Sequence, residues 1–247
     1  MKMAITYYRL LKLAWKQYRL RFDLILVCNL IAFLPIYLLL DILSYFKHLN
    51  LNFDTVDDLL KIWQNPYFLG LQLFTTVAGI WVVTCILLMV KANYHQQLPS
   101  VKTLLLSSKH YLPKILLLSF ITGSLILLGF IFFIVPGIIL WLLFSLSLPA
   151  LIWHNSSIKQ ALTLSWRLGK RYWWIILNYQ IITLGLSALI NLCLAALLPN
   201  VIGFTAIGST LGQLALSLGT ILLMVLFLIL DEIDITALPS TAPKESC

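Results

Sequence analysis

The residues of this chain that could carry out chemistry are few and scattered. The histidines are His48, His95, His110 and His154; the cysteines are Cys28, Cys85, Cys193 and Cys247. A metal site needs ligands at short, recurring spacings such as C-x-x-C, and no pair here has one. Hydrolytic or phosphoryl chemistry would announce itself by a nucleophile elbow or a Gly-rich phosphate loop, and neither occurs. The lone thiols are expected to pack as small hydrophobes. No catalytic, cofactor-binding or metal-ligating residue is expected, and the chain is not expected to be an enzyme.

The next candidates are uncharged polar residues inside apolar runs: Asn29, Gln72, Asn178, Gln180 and Asn191. In lipid such groups either bond across helices or line a polar route. Asn178 and Gln180 are the pair that would line a path for a neutral or amphipathic solute. An ion-coupled carrier would call for a carboxylate at mid-span depth. The nearest, Asp41, closes its run and is expected at headgroup level.

The elements that must position these residues are membrane helices. Hydrophobic residues make up 61% of the chain and charged residues 11%, against about 25% charged in a soluble domain. The apolar residues come in unbroken runs, so the chain reads as all-α and polytopic. The net charge of +8 does not point to nucleic acid, because no nucleic-acid motif accompanies it. The cations flank apolar runs instead, where orientation signals and anionic-lipid contacts sit.

Residues 3–22 have helical period, with Arg9, Lys12, Lys16 and Arg19 on one face and Tyr7, Leu11, Ala14, Tyr18 and Phe22 on the other. Such a helix lies in the membrane interface. The run from Leu24 is the first span, with Pro35 inside it. Residues 47–66 form a polar loop in which Asp54 is expected to cap a short surface helix. Tyr67–Val90 is the second span, and Ser100 is placed to cap a short helix through Lys109. Ile115–Trp153 contains no charge. As one helix at about 1.5 Å per residue it would extend about 58 Å, across a hydrocarbon core of about 30 Å. It must double back, and Pro136-Gly137 is the expected turn; Pro149 is expected to kink or end the next span. Ser157 and Gln160 have capping-box spacing ahead of a helix bearing Lys159, Arg167, Lys170 and Arg171. Tyr172–Leu230 is again too long for one span, and Pro199 is the expected break. Gly208 and Gly212 have GxxxG spacing, with Gly219 further on.

The reading is a single helical membrane domain over 1–230. Its spans fall at about 23–46, 67–91, 113–135, 137–154, 173–197 and 211–230, followed by a disordered tail over 231–247. Six spans put all but Lys47 and Lys61 of the 17 Lys and Arg on one side, and the positive-inside rule makes that side, with both termini, cytoplasmic.

A threefold repeat is also expected. Leu11–Lys16, Leu104–Lys109 and Leu162–Arg167 each have Leu at positions one and three, a small residue at four (Ala14, Ser107, Ser165) and a cation at six. Each would precede a two-span hairpin, giving a basic interfacial helix, a span out, a turn and a span back, three times over.

Four motifs carry a family resemblance: Leu112-Pro113-Lys114, Val135-Pro136-Gly137, Leu148-Pro149-Ala150, and Ala161 through Ser165 to Leu168. In these the chain resembles the YciC family of uncharacterised bacterial inner-membrane proteins. It is also similar to the membrane domains attached to some glycerophosphodiester phosphodiesterases, although the acidic metal-binding catalytic domain of those enzymes has no counterpart here. The resemblance implies a bacterial inner-membrane protein of unknown activity and supplies no catalytic residue. The expected function is therefore a non-catalytic membrane or envelope component. Its interfacial cations Arg9, Lys12, Lys16, Arg19, Lys109, Lys159, Arg167, Lys170 and Arg171 would contact anionic lipid headgroups. The alternative is a transporter, or a subunit of one, for a small neutral or amphipathic solute. The sequence names no partner protein and no oligomeric state.

Overall fold

A computed structural model describes residues 7–45, 66–97, 100–197 and 204–237. Among them there is no strand. The elements are α1 (Tyr7–Leu20), α2 (Phe22–Tyr45), α3 (Pro66–Tyr94), α4 (Val101–Phe132), α5 (Ile134–Phe144), α6 (Ser147–His154), α7 (Ile158–Leu197) and α8 (Phe204–Ala237). Among the described residues six helical stretches are long and apolar enough to cross a membrane. The surface helix expected from Asp54 and the break at Pro199 lie outside the described residues.

The core is formed where α3, α6 and α8 meet. Ile86, Leu87 and Met89 of α3, Leu151 and Ile152 of α6 and Phe227 of α8 are fully buried. Leu24 and Ile25 of α2, Ile115 and Leu118 of α4 and Leu168 of α7 pack around them. The outward faces are apolar as well: Phe120, Leu127, Ile131 and Phe132 of α4 are largely exposed. Water would not tolerate so wide an apolar surface; lipid does.

Four boundaries differ from the sequence expectation. The basic segment after Ser100 and the third span are one continuous helix, α4, with Pro113 in its interior. Proline leaves the carbonyl of Lys109 without its helical donor, and membrane helices accept this when water or a neighbour supplies a replacement. The basic segment after Ser157 is likewise continuous with the fifth span, and α7 bends at Tyr172 (φ −121°, ψ 23°). The capping expectations hold: Thr103 N–H donates to Ser100 Oγ, and the Ser157 and Gln160 side chains take each other's backbone N–H groups.

The third difference is the turn. Helix α4 ends at Phe132, Phe133 is extended (φ −161°), and α5 starts at Ile134. Pro136 therefore sits in the first turn of a helix, where its missing N–H costs nothing. Gly137 serves packing. A Cβ on Gly129 would lie 2.9 Å from Gly137 Cα, and one on Gly137 would lie 2.5 Å from the Phe130 ring. The two glycines let α4 and α5 fold onto each other across a single residue. Ahead of Pro149, the helix is interrupted at Ser145 and Leu146, with Ser145 Oγ donating to Leu142 O and Ser147 Oγ to Phe144 O.

The fourth difference is the end of the chain. Helix α8 does not stop at Leu230 but runs to Ala237, through Asp231 and Asp234, where the sequence predicts a disordered tail. The reason is electrostatic, and it belongs to the site.

Candidate functional site

One end of the bundle collects nearly all the charged chemistry of the described residues. At this end α1 joins α3, where Asn93 Nδ2 donates to Gln17 Oε1 at 3.1 Å. Helix α3 reaches the α6–α7 junction, where Lys91 Nζ donates to Ile152 O at 2.7 Å and to Asn155 Oδ1 at 3.3 Å. Helix α4 reaches the same junction through the hydroxyl of Tyr111, which donates to Asn155 Oδ1. Asn155 sits in the left-handed region (φ 49°), a conformation asparagine tolerates better than most residues. The turn it makes lets α6 end and α7 begin within a few residues.

Helix α8 closes the group. Asp234 is 1% exposed and faces two arginines one helical turn apart on α7. Arg171 Nη1 donates to Asp234 Oδ1 at 2.8 Å. Arg167 Nη2 lies 3.0 Å from Oδ2 but outside hydrogen-bond alignment, so Oδ2 has charge compensation and no hydrogen bond. Asp231, one turn earlier, is 3.0 Å from His154 Nε2. A charge-free helix that ended at Leu230 would leave both arginines without this partner. The aspartates carry α8 onward because, once buried, they have half-exposed counter-ions on α6 and α7 to meet.

Helix α7 is held tightly here. The interruption after α5 leaves the carbonyl of Leu143 without a helical donor, and Ser165 Oγ donates to it at 2.6 Å. One turn on, a Cβ at Gly169 would lie 2.8 Å from Leu143 Cα. Ser165 and Gly169 thus form a notch for the end of α5, and this places Arg167 and Arg171 over α8. Of the glycines further along the chain, Gly219 makes a comparable close approach, with Thr183 against it and Tyr179 O–H donating to its carbonyl.

The cations expected to meet headgroups divide into two sets. Lys12, Lys16, Arg19, Lys109, Lys159 and Lys170 are exposed and make no ion pair among the described residues. The side chain of Arg9 lies outside the described ones. Arg167 and Arg171 are half exposed while engaging Asp234. Beside them Trp15, Trp166, Trp173 and Trp174 are each about half exposed, as interface tryptophans are.

Asn178 turns back on its own helix, donating to Trp174 O, and Gln180 has no hydrogen bond among the described residues. The polar side chains that meet inside the bundle are others. Gln213 Nε2 donates to Tyr37 O–H at 2.9 Å, Ser217 Oγ to Gln213 O, and Asn29 Nδ2 to Ser217 Oγ at 3.0 Å. This row stitches α2 to α8. Among the described residues no three His, Cys, Asp or Glu side chains gather as a metal would require.

Sequence reasoning missed Asp231 and Asp234. A signal existed: two acids at i, i+3 directly after an apolar run, matching two arginines at i, i+4 on another basic helix.

Six apolar helices mark a membrane protein, and the comparisons give it no known activity. No curated protein and no solved structure matches the chain. Residues 59–230, which include α3 to α7 and α8 as far as Leu230, match the uncharacterised protein family UPF0259, and the chain belongs to that family.

Proposed function

We propose that this is a multi-pass protein of the bacterial inner membrane, with both termini cytoplasmic, whose work is non-catalytic. It grips anionic lipid headgroups with a basic, Trp-bearing end and organises or maintains the surrounding membrane. The observation that carries this reading is the exposed set Lys12, Lys16, Arg19, Lys109, Lys159 and Lys170, together with Trp15, Trp166, Trp173 and Trp174, at the end closed by the Asp234 ion pairs. Each such cation near an anionic surface contributes about 1 kcal/mol of attraction. The motifs shared with YciC-like proteins support the bacterial assignment, and all four fall inside the matched residues 59–230. A kinship with phosphodiesterase-linked membrane domains is not part of the proposal.

The finer architecture proposed is three hairpins in pseudo-threefold order. Three contacts support it, because they run in a cycle. The first basic helix, α1, bonds α8 through Tyr18 O–H and Leu214 O. The second, the start of α4, bonds α3 through Trp81 Nε1 and Ser108 Oγ at 2.9 Å. The third, the start of α7, bonds α5 through Ser165 and Leu143. Each basic helix thus meets the return span of the preceding unit. The equivalent of the fully buried Ala14 and Ser165 is then Ser108, which is fully buried, and not Ser107, which is exposed. In the second unit the repeat reads one residue later than the sequence match suggested.

The test is lipid retention. The full chain, purified in mild detergent and examined by native mass spectrometry, should keep phosphatidylglycerol or cardiolipin in preference to phosphatidylcholine. Neutralising Lys12, Lys16, Lys109, Lys159 and Lys170 to Gln should abolish the preference, as should high salt. Equal retention of zwitterionic lipid by the unaltered protein would sink the proposal, and solute uptake into proteoliposomes would favour the transport alternative.

A further inference from the structure

A cavity of about 240 Å³ opens between α4 and the α6–α7 junction, lined by His110, Tyr111, Lys114, Leu151, Asn155 and Ser156. A single water needs about 10–15 Å³, so the space admits a group much larger than a water. Among the described residues no carboxylate lines it. The two aspartates buried at this end are already engaged by His154, Arg167 and Arg171.

The polar groups around the cavity are left with donors to spare. Lys114 and His110 make no ion pair or hydrogen bond among the described residues. The Oδ1 of Asn155 accepts from both Tyr111 O–H and Lys91 Nζ. That fixes the side-chain amide and leaves its Nδ2 hydrogens without an acceptor among the described residues. Ser156 Oγ is buried and has no partner among the described residues, a state that costs about 1–3 kcal/mol unless a ligand or water completes it. The N-terminus of α7 follows at once and adds its positive end. Donors and positive charge converge on the space, and an acceptor-rich anion is what they lack. A second, shallower groove lies along Lys159, Gln160, Thr163, Leu164 and Arg167. It belongs to one helix face and has no comparable enclosure.

We propose that this cavity binds a phosphate ester, with Lys114 supplying charge and a ring N–H of His110, Asn155 Nδ2 and Ser156 O–H supplying hydrogen bonds to the phosphoryl oxygens. The proposal rests on the headgroup-binding reading above and gives it one specific, saturable site, separate from the diffuse attraction of the surface lysines. A lipid headgroup and a soluble phosphate ester share this chemistry, so the experiment must separate them.

The probes are phosphatidylglycerol and glycerol 1-phosphate, each titrated against the purified full chain, with bound lipid counted by native mass spectrometry and glycerol phosphate followed by phosphorus NMR line broadening. The expected result is one saturable site, weakened about tenfold by Lys114→Gln and severalfold by Ser156→Ala, a small change that keeps the turn. Lys159→Gln with Lys170→Gln should leave this site intact while lowering the salt-sensitive excess of bound lipid. Saturable binding of the lipid alone assigns the site to a headgroup with its chains; displacement of the lipid by glycerol 1-phosphate assigns it to the phosphate ester itself. If Lys114→Gln and Ser156→Ala weaken binding no more than the Lys159/Lys170 pair, the cavity proposal is overturned and the surface reading survives. If no anionic preference exists in the unaltered protein, both fall.

Discussion

The ion pairs at Asp234 predict an asymmetry that a simple count of salt bridges would not. The Asp234 side chain is 2% exposed, whereas those of Arg167 and Arg171 are 52% and 48% exposed. Replacing Asp234 by Asn returns two arginines to water they already touch. The loss is one aligned charge-assisted hydrogen bond, discounted for half exposure, or about 1–2 kcal/mol. Replacing both arginines by Gln strands a buried carboxylate without its counter-ions, which costs about 3–5 kcal/mol. The arginine variant should therefore be less stable by roughly 2 kcal/mol, a difference of about 4–8 °C in Tm for a chain of this size. Adding Asp234→Asn to the double arginine variant should recover most of that difference, because the stranded charge is gone. Thiol-reactive dye fluorimetry suits the measurement: Cys28 and Cys85 are buried and report unfolding, with the exposed Cys193 and the terminal Cys247 first replaced by Ser. The reasoning fails if Asp234→Asn destabilises as much as the double arginine change, or if the triple variant shows no recovery.

Two further outcomes follow from the same packing. Gly129→Ala should cost about 1–3 kcal/mol by overpacking, since its methyl would meet backbone at Gly137 that cannot step aside, while Gly123→Ala, with nothing within 4 Å, should be neutral or stabilising as usual for Gly→Ala in a helix; equal Tm values for the two would refute the close approach of α4 and α5. Truncation after Leu230 should lower Tm by several degrees because it removes Asp231 and Asp234, whereas truncation after Ala237 should leave Tm unchanged; a harmless cut at Leu230 would refute the anchoring role of the end of α8.

What the sequence made legible was whatever the bilayer dictates. Span number follows from run length, and the basic end follows from where lysines and arginines interrupt the runs, because lipid penalises charge without regard to neighbours. Helix caps at Ser100 and Ser157 were legible because their logic is confined to four residues. The errors share a different cause. Pro136-Gly137 looks like a turn when proline and glycine are taken as breakers. Proline is also at ease in a first turn, and glycine also opens space for a neighbouring helix; only the approach of Gly129 shows which role applies. Asp231 and Asp234 look like the start of a solvated tail because acids after an apolar run usually are. The burial of Asp231 depends on His154 and that of Asp234 on Arg167 and Arg171, all more than sixty positions earlier, and on Ser165 and Gly169 seating α7 so that those arginines face α8. Lipid is indifferent to which apolar side chain faces it, so such polar contacts and close glycine approaches must fix the register of the helices. Those contacts pair residues distant in sequence, and single-sequence patterns carry the least information about them. The cavity beside Lys114 is the extreme case. Its lysine and histidine come from α4 and its asparagine and serine from the start of α7, so no single segment contains a recognisable part of it.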